Sequence, residues 1–176
     1  MEAVFDNKAN VLNAKLHATH DNSVIYTIST DQTIWGRTYT YVRDANPALG
    51  GDPTIVGVVN WKKKTFDVQG QRKAVKDIRR KPEGFRNKSR FWKWADGREE
   101  YDIVHCEEGW QATCTNTKEV EAILTVPYRP HLFGKEKPVV LNMTRVALLQ
   151  DEVFLILVFI YCEMKRQEKI NSAAGW

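Results

Sequence analysis

Val153-Phe154-Leu155-Ile156-Leu157-Val158-Phe159-Ile160-Tyr161-Cys162 is the only long unbroken apolar run in the chain. Asp151 and Glu152 precede it; Glu163, Lys165 and Arg166 follow. A helix that is apolar on every side must be buried, in lipid or in protein. A bilayer span needs roughly 20 apolar residues, whereas a run of about 10–14 marks a core helix. The run is ten residues long with charge at both ends. It therefore predicts a helix inside the protein over about 151–168, with Asp151 as N-cap and Lys165 and Arg166 suiting the C-terminal dipole. The competing readings are a C-terminal membrane anchor, for which the run is short, and a buried strand, for which it is long.

Working back towards the N-terminus, the chain reads as short strands. Val24–Thr30 and Thr33–Val42 are rich in β-branched and aromatic residues and predict a hairpin turning at Asp31-Gln32. Thr54–Trp61 and Thr65–Gln69 predict a second hairpin, turning at Lys62-Lys63-Lys64. Ser89–Trp94 and Glu99–His105 flank an Asp-Gly turn at Asp96-Gly97. Trp110–Cys114, Glu119–Val126 and Val139–Thr144 follow, the last two separated by a proline-bearing loop over 127–138. About ten short strands at this spacing indicate a sandwich or barrel. The fold expected is mainly β: a closed, largely antiparallel barrel of about 10–12 strands around the buried C-terminal helix. A barrel interior has to be filled, and an all-apolar helix fills it. Residues 1–22 are polar and predict an N-terminal arm, 23–170 a single domain, and 171–176 a tail.

The chain has 176 residues, 43% hydrophobic and 27% charged, with a net charge of +4. This is an ordinary composition for one globular domain. Met1–Lys8 lacks a basic lead before an apolar stretch, so no secretory signal is expected. Three cysteines do not suggest a disulfide framework. The expected compartment is cytoplasmic, with a membrane-peripheral or nuclear location also open.

The series Val56-Gly57-Val58-Val59-Asn60-Trp61, then Arg90-Phe91-Trp92-Lys93-Trp94-Ala95-Asp96-Gly97-Arg98-Glu99-Glu100-Tyr101, then the aliphatic helix ending in Glu163-Met164-Lys165-Arg166, resembles a group of small fungal proteins of unknown function. That group is similar to the tubby C-terminal, LURP-one and phospholipid-scramblase fold. The resemblance spans roughly residues 24–168. It implies a barrel of about a dozen strands threaded by a hydrophobic C-terminal helix. Tubby-like members bind phosphoinositide head groups, and scramblase-like members act at membranes. No counterpart of the tubby phosphoinositide site is legible here.

Charge supplies the candidate site. Residues 62–93 hold thirteen basic and three acidic side chains, a net +10, leaving −6 for the rest of the chain. That asymmetry points to a polyanionic partner: phosphoinositide, acidic phospholipid or nucleic acid. The candidate anion ligands are Lys62, Lys63, Lys64, Arg72, Lys73, Lys76, Arg79, Arg80, Arg86, Lys88 and Arg90. The bland reading is a solvated face with lysines guarding strand edges. Trp92 and Trp94 share a strand face and are expected to pack in the core. A protein-interaction or small-ligand module is the alternative, framed by loops 44–53 and 127–138 with Trp35, Tyr128 and Phe133 as anchors.

An enzyme is the third reading, with a site near His105 or the His17/His20 arm. No zinc spacing, phosphate-cradling loop or nucleophile elbow supports it. Adjacent strand residues such as His105 and Cys106 point to opposite faces, against a nucleophile–base pair. Cys106 and Cys114 are expected as a reduced, buried pair. No metal and no cofactor are expected.

Overall fold

The computed structural model describes residues 1–7, 10–47, 51–81, 89–126 and 138–173. Along them run β1 (Glu2–Phe5), β2 (Ala14–Ala18), β3 (Val24–Thr33), β4 (Gly36–Asp44), β5 (Thr54–Asn60), β6 (Thr65–Val68), β7 (Gln71–Ala74), α1 (Val75–Ile78) and β8 (Arg79–Arg80). Then come β9 (Arg90–Lys93), β10 (Glu100–Cys106), β11 (Gly109–Cys114), β12 (Val120–Thr125), β13 (Val140–Met143), α2 (Arg145–Gln150) and α3 (Glu152–Ala173).

The strands form one thirteen-stranded sheet in the order β7-β6-β5-β4-β3-β2-β1-β13-β12-β11-β10-β9-β8. Every pairing is antiparallel. Spatial neighbours are sequence neighbours except at β1–β13, where the first and last strands meet. Alternation sets the inner face: Ala14, Leu16 and Ala18 of β2 are buried while Lys15 is exposed, and Tyr101 and Ile103 of β10 are buried.

The inner face wraps α3. All residues from Val153 to Tyr161 are buried, with Leu155, Leu157 and Val158 at 0% exposure. The apolar run is thus a helix inside protein, as its length and flanking charge require. Gly57 lets it approach β5: a Cβ there would meet Val153 Cγ1 at 2.8 Å and Leu157 Cδ2 at 3.2 Å. Around Tyr161 the packing is aromatic. Trp61 stacks on it at 5.5 Å between ring centroids, while Phe66 and Trp92 present edges at 5.4 and 6.0 Å. Trp92 and Trp94 both lie in the core.

Four expectations are corrected. First, the sheet is not closed into a barrel. Its edges β7 and β8 share no ladder. The chain passes from one edge to the other through α1, whose helical turn takes its backbone groups out of strand pairing. Side chains span the seam instead. Lys73 donates from Nζ to the Trp94 carbonyl at 2.7 Å, and Phe66 of β6 stacks on Trp92 of β9 at 5.8 Å.

Second, residues 2–5 and 14–18 are not a loose arm. β1 and β2 lie mid-sheet, because the backbone of β1 pairs with both β2 and β13. Third, the terminal helix continues to Ala173, and a separate short helix, α2, precedes it, capped by the Thr144 hydroxyl, which accepts from Ala147 N. The Asp151 side chain accepts the Tyr101 hydroxyl at 3.0 Å; its backbone carbonyl, not its carboxylate, takes Leu155 N–H. Fourth, the β3–β4 hairpin turns at Ile34-Trp35, not at Asp31-Gln32. No helix among the described residues is long and apolar enough to cross a membrane.

Candidate functional site

In an antiparallel sheet successive turns alternate between its two ends. The β3–β4 turn, the β5–β6 turn and the β10–β11 turn share one end, and α3 emerges there. Trp61, just past β5, donates its backbone N–H to the Thr38 carbonyl at 3.0 Å and stacks on Tyr161. Val75 N donates to the Lys64 carbonyl at 2.9 Å, which brings the start of α1 against the β5–β6 turn. Trp110 of β11 donates Nε1–H to Glu163 at 2.9 Å.

The candidate cations divide into spent and unspent groups. Lys73 crosses the seam to the Trp94 carbonyl and sits 5.0 Å above the Trp94 ring. Arg72 faces Asp67 at 3.5 Å, its register partner. Arg80 makes a two-pronged contact with Glu100 at 2.8 and 2.7 Å, and its guanidinium lies 4.2 Å over the Phe91 ring. That contact holds the Glu100 carboxyl below its ordinary range. Arg79 is half-buried 5.7 Å over the Trp92 ring, and Arg90 donates to the Ser89 carbonyl.

Lys62, Lys63, Lys64 and Lys76 are different. All four are exposed and none has an ion pair with a described residue. Three occupy the β5–β6 turn and the fourth the adjoining α1. Arg86 and Lys88 lie outside the described residues.

The tertiary structure adds charge that the linear segment does not contain. Lys165 and Lys169 are exposed on the emerging turns of α3, Lys165 pairing with Glu168 at 2.7 Å. Arg37 is clamped against Glu168, the Met164 sulfur and the Trp61 ring. Below them Glu163 is fully buried. Burial pushes its carboxyl upward, but hydrogen bonds from Arg166, Trp110 and Gln167 outweigh that and hold it below the ordinary range.

At this same end Ile34 and Trp35 project into solvent, 92% and 90% exposed. Gly36, at φ +103°, closes the turn, a conformation L side chains rarely adopt. The Thr33 hydroxyl braces it, accepting from Trp35 N and donating to the Gly36 carbonyl, both at 3.2 Å. Sequence reading assigned this pair to a strand interior. Gly36 two residues on was the available signal.

The other candidates separate. β4 and β12 finish at opposite ends of the sheet; residues 48–50 and 127–137, Tyr128 and Phe133 among them, lie outside the described residues. Cys106 is exposed and Cys114 buried, at opposite ends of the β10–β11 ladder and roughly 17 Å apart by strand rise, so they are not a pair. The Cys162 thiol, among apolar neighbours, is pushed up to about 12 by burial.

His105 packs edge-on against Trp110 at 5.0 Å, and burial together with the nearby Arg166 charge lowers its pKa. His17 contacts the Asn22 carbonyl, and His20 lies beside Asp21. Away from all of these, a shallow groove of about 420 Å³ lies among Met1, Val120, Ile123 and Met143.

Residues 9–168 match the model of DUF6593, a family of unknown function. The chain belongs to that family. The match takes in every strand from β2 to β13 and most of α3, so the DUF6593 region contains the lysine-bearing turn and all of the plugged sheet but β1. No curated protein and no solved structure matches the chain.

Proposed function

We propose that this DUF6593 chain is a non-enzymatic binding module whose lysine-bearing end meets an anionic phospholipid surface, phosphoinositide-containing membranes included. The observation that carries the reading is the convergence of Lys62, Lys63, Lys64 and Lys76: exposed, adjacent across the Lys64–Val75 contact, and without an ion pair to a described residue. A lysine close to an anionic leaflet contributes roughly 1 kcal/mol, about fivefold in affinity. The resemblance to the tubby-like and scramblase group is in keeping with a cytoplasmic, membrane-peripheral location, but with no counterpart of the tubby phosphoinositide site legible the lipid reading rests on the lysines.

Vesicle flotation tests it. At low salt the protein floats with phosphatidylcholine vesicles containing phosphatidylserine and not with phosphatidylcholine alone. Replacing Lys62, Lys63, Lys64 and Lys76 together by Ser abolishes the difference. Equal flotation of the unmodified protein with both vesicles would sink the reading.

A further inference from the structure

The one left-handed position of the β3–β4 tip is held by Gly36, so the turn accepts most residues at its centre and nothing in its backbone calls for large apolar ones. Ile34 and Trp35 occupy that centre and are almost wholly exposed. Folding does not explain them, since they contribute nothing to the core. Exposed apolar side chains grouped within a polar rim mark interaction surfaces.

Three further observations identify the partner. The tip is convex and projects from the sheet, which suits entry into a soft surface. It is held firmly: Thr33 braces the turn, and Arg37 ties its base to Glu168 and Trp61 of the core assembly. Its neighbour is the β5–β6 turn with Lys62, Lys63 and Lys64, two strand spacings or roughly 10 Å to the side, and the β3–β4 tip reaches further along the strand direction. An apolar point beside exposed ammonium groups that have no ion pair among the described residues complements a hydrocarbon boundary under anionic head groups, where Trp is favoured.

We propose that Ile34 and Trp35 form a wedge that enters the interfacial layer of an anionic bilayer while Lys62, Lys63, Lys64 and Lys76 engage its head groups. This deepens the lipid-surface reading and rests on it. The lysines supply the salt-sensitive part of binding and the wedge a salt-resistant part.

The test uses phosphatidylcholine/phosphatidylserine vesicles with brominated acyl chains, which quench tryptophan only at membrane depth. The unmodified protein is quenched, and W35F loses most of that quenching while keeping vesicle affinity within about threefold. The double variant I34S/W35S binds about tenfold more weakly, as expected for losing partial burial of two large side chains, with an unchanged urea midpoint. Unchanged affinity in I34S/W35S together with equal quenching in W35F overturns the wedge and leaves the lysine reading standing. Failure of the unmodified protein to bind these vesicles overturns both. If I34S/W35S instead loses binding to a protein while vesicle affinity holds, the tip is a protein anchor and the wedge is wrong.

Discussion

Two apolar pieces of this chain meet opposite fates. Val153–Tyr161 is buried on every side and organises the sheet around it; Ile34-Trp35 is about nine-tenths exposed and organises nothing. The side chains are chemically alike, so hydrophobicity alone does not account for both. Removing the first from water drives folding. The second keeps its full exposure in the folded state, so whatever it gains from burial is available only to a partner. The lysines beside it repeat the contrast with the seam, where Lys73 and Arg80 are spent on holding β-structure together.

The comparison breaks if the two pieces respond alike to truncation. Leu157→Ala removes a fully buried side chain that packs over Gly57 of β5. It is expected to cost about 3–5 kcal/mol in urea denaturation. Glu163→Gln is expected to cost about 2–3 kcal/mol, because Arg166 and Trp110 keep their geometry but lose the buried charge they satisfy.

The sign of its pH dependence is fixed. Glu163 has a lowered folded pKa, so its stabilisation is present above the ordinary glutamate range and is lost as pH falls through the folded value. The gap between the unmodified protein and Glu163→Gln therefore narrows on acidification. Gly57→Ala forces a methyl against Val153 and Leu157 and is expected to cost about 1–3 kcal/mol. I34S/W35S, at the bottom of the scale, is expected to move stability by no more than about 0.5 kcal/mol.

Much of the fold was legible because it rests on local patterns. The ten-residue apolar run announced a buried helix, and alternation with Asp-Gly and Lys-rich turns announced most hairpins. What escaped depends on distant partners. β1 and β2 are only four and five residues long, and apart from Phe5 and Leu16 the residues they bury are small, Ala3, Ala14 and Ala18. Their strand character comes from pairing that reaches β13, near the other end of the chain. The seam escaped because a single helical turn, Val75–Ile78, decides that the sheet does not close by a ladder.

The site was half legible for the same reason. Composition identifies the basic segment. It cannot tell Arg80, held by a carboxylate twenty residues away, from Lys63, whose ammonium has no ion pair with a described residue. The sequence marks Trp35 as a binding anchor, but with loops 44–53 and 127–138; strand-like composition hides its place beside Ile34 at a hairpin tip, which the turn between Thr33 and Gly36 reveals.

The most direct measurement is vesicle affinity as a function of salt, at fixed phosphatidylserine content, for the unmodified protein, I34S/W35S and the fourfold lysine variant. The account predicts that I34S/W35S runs parallel to the unmodified protein about tenfold lower, and that the lysine variant loses most of the salt slope. Coincident lines for all three would contradict it.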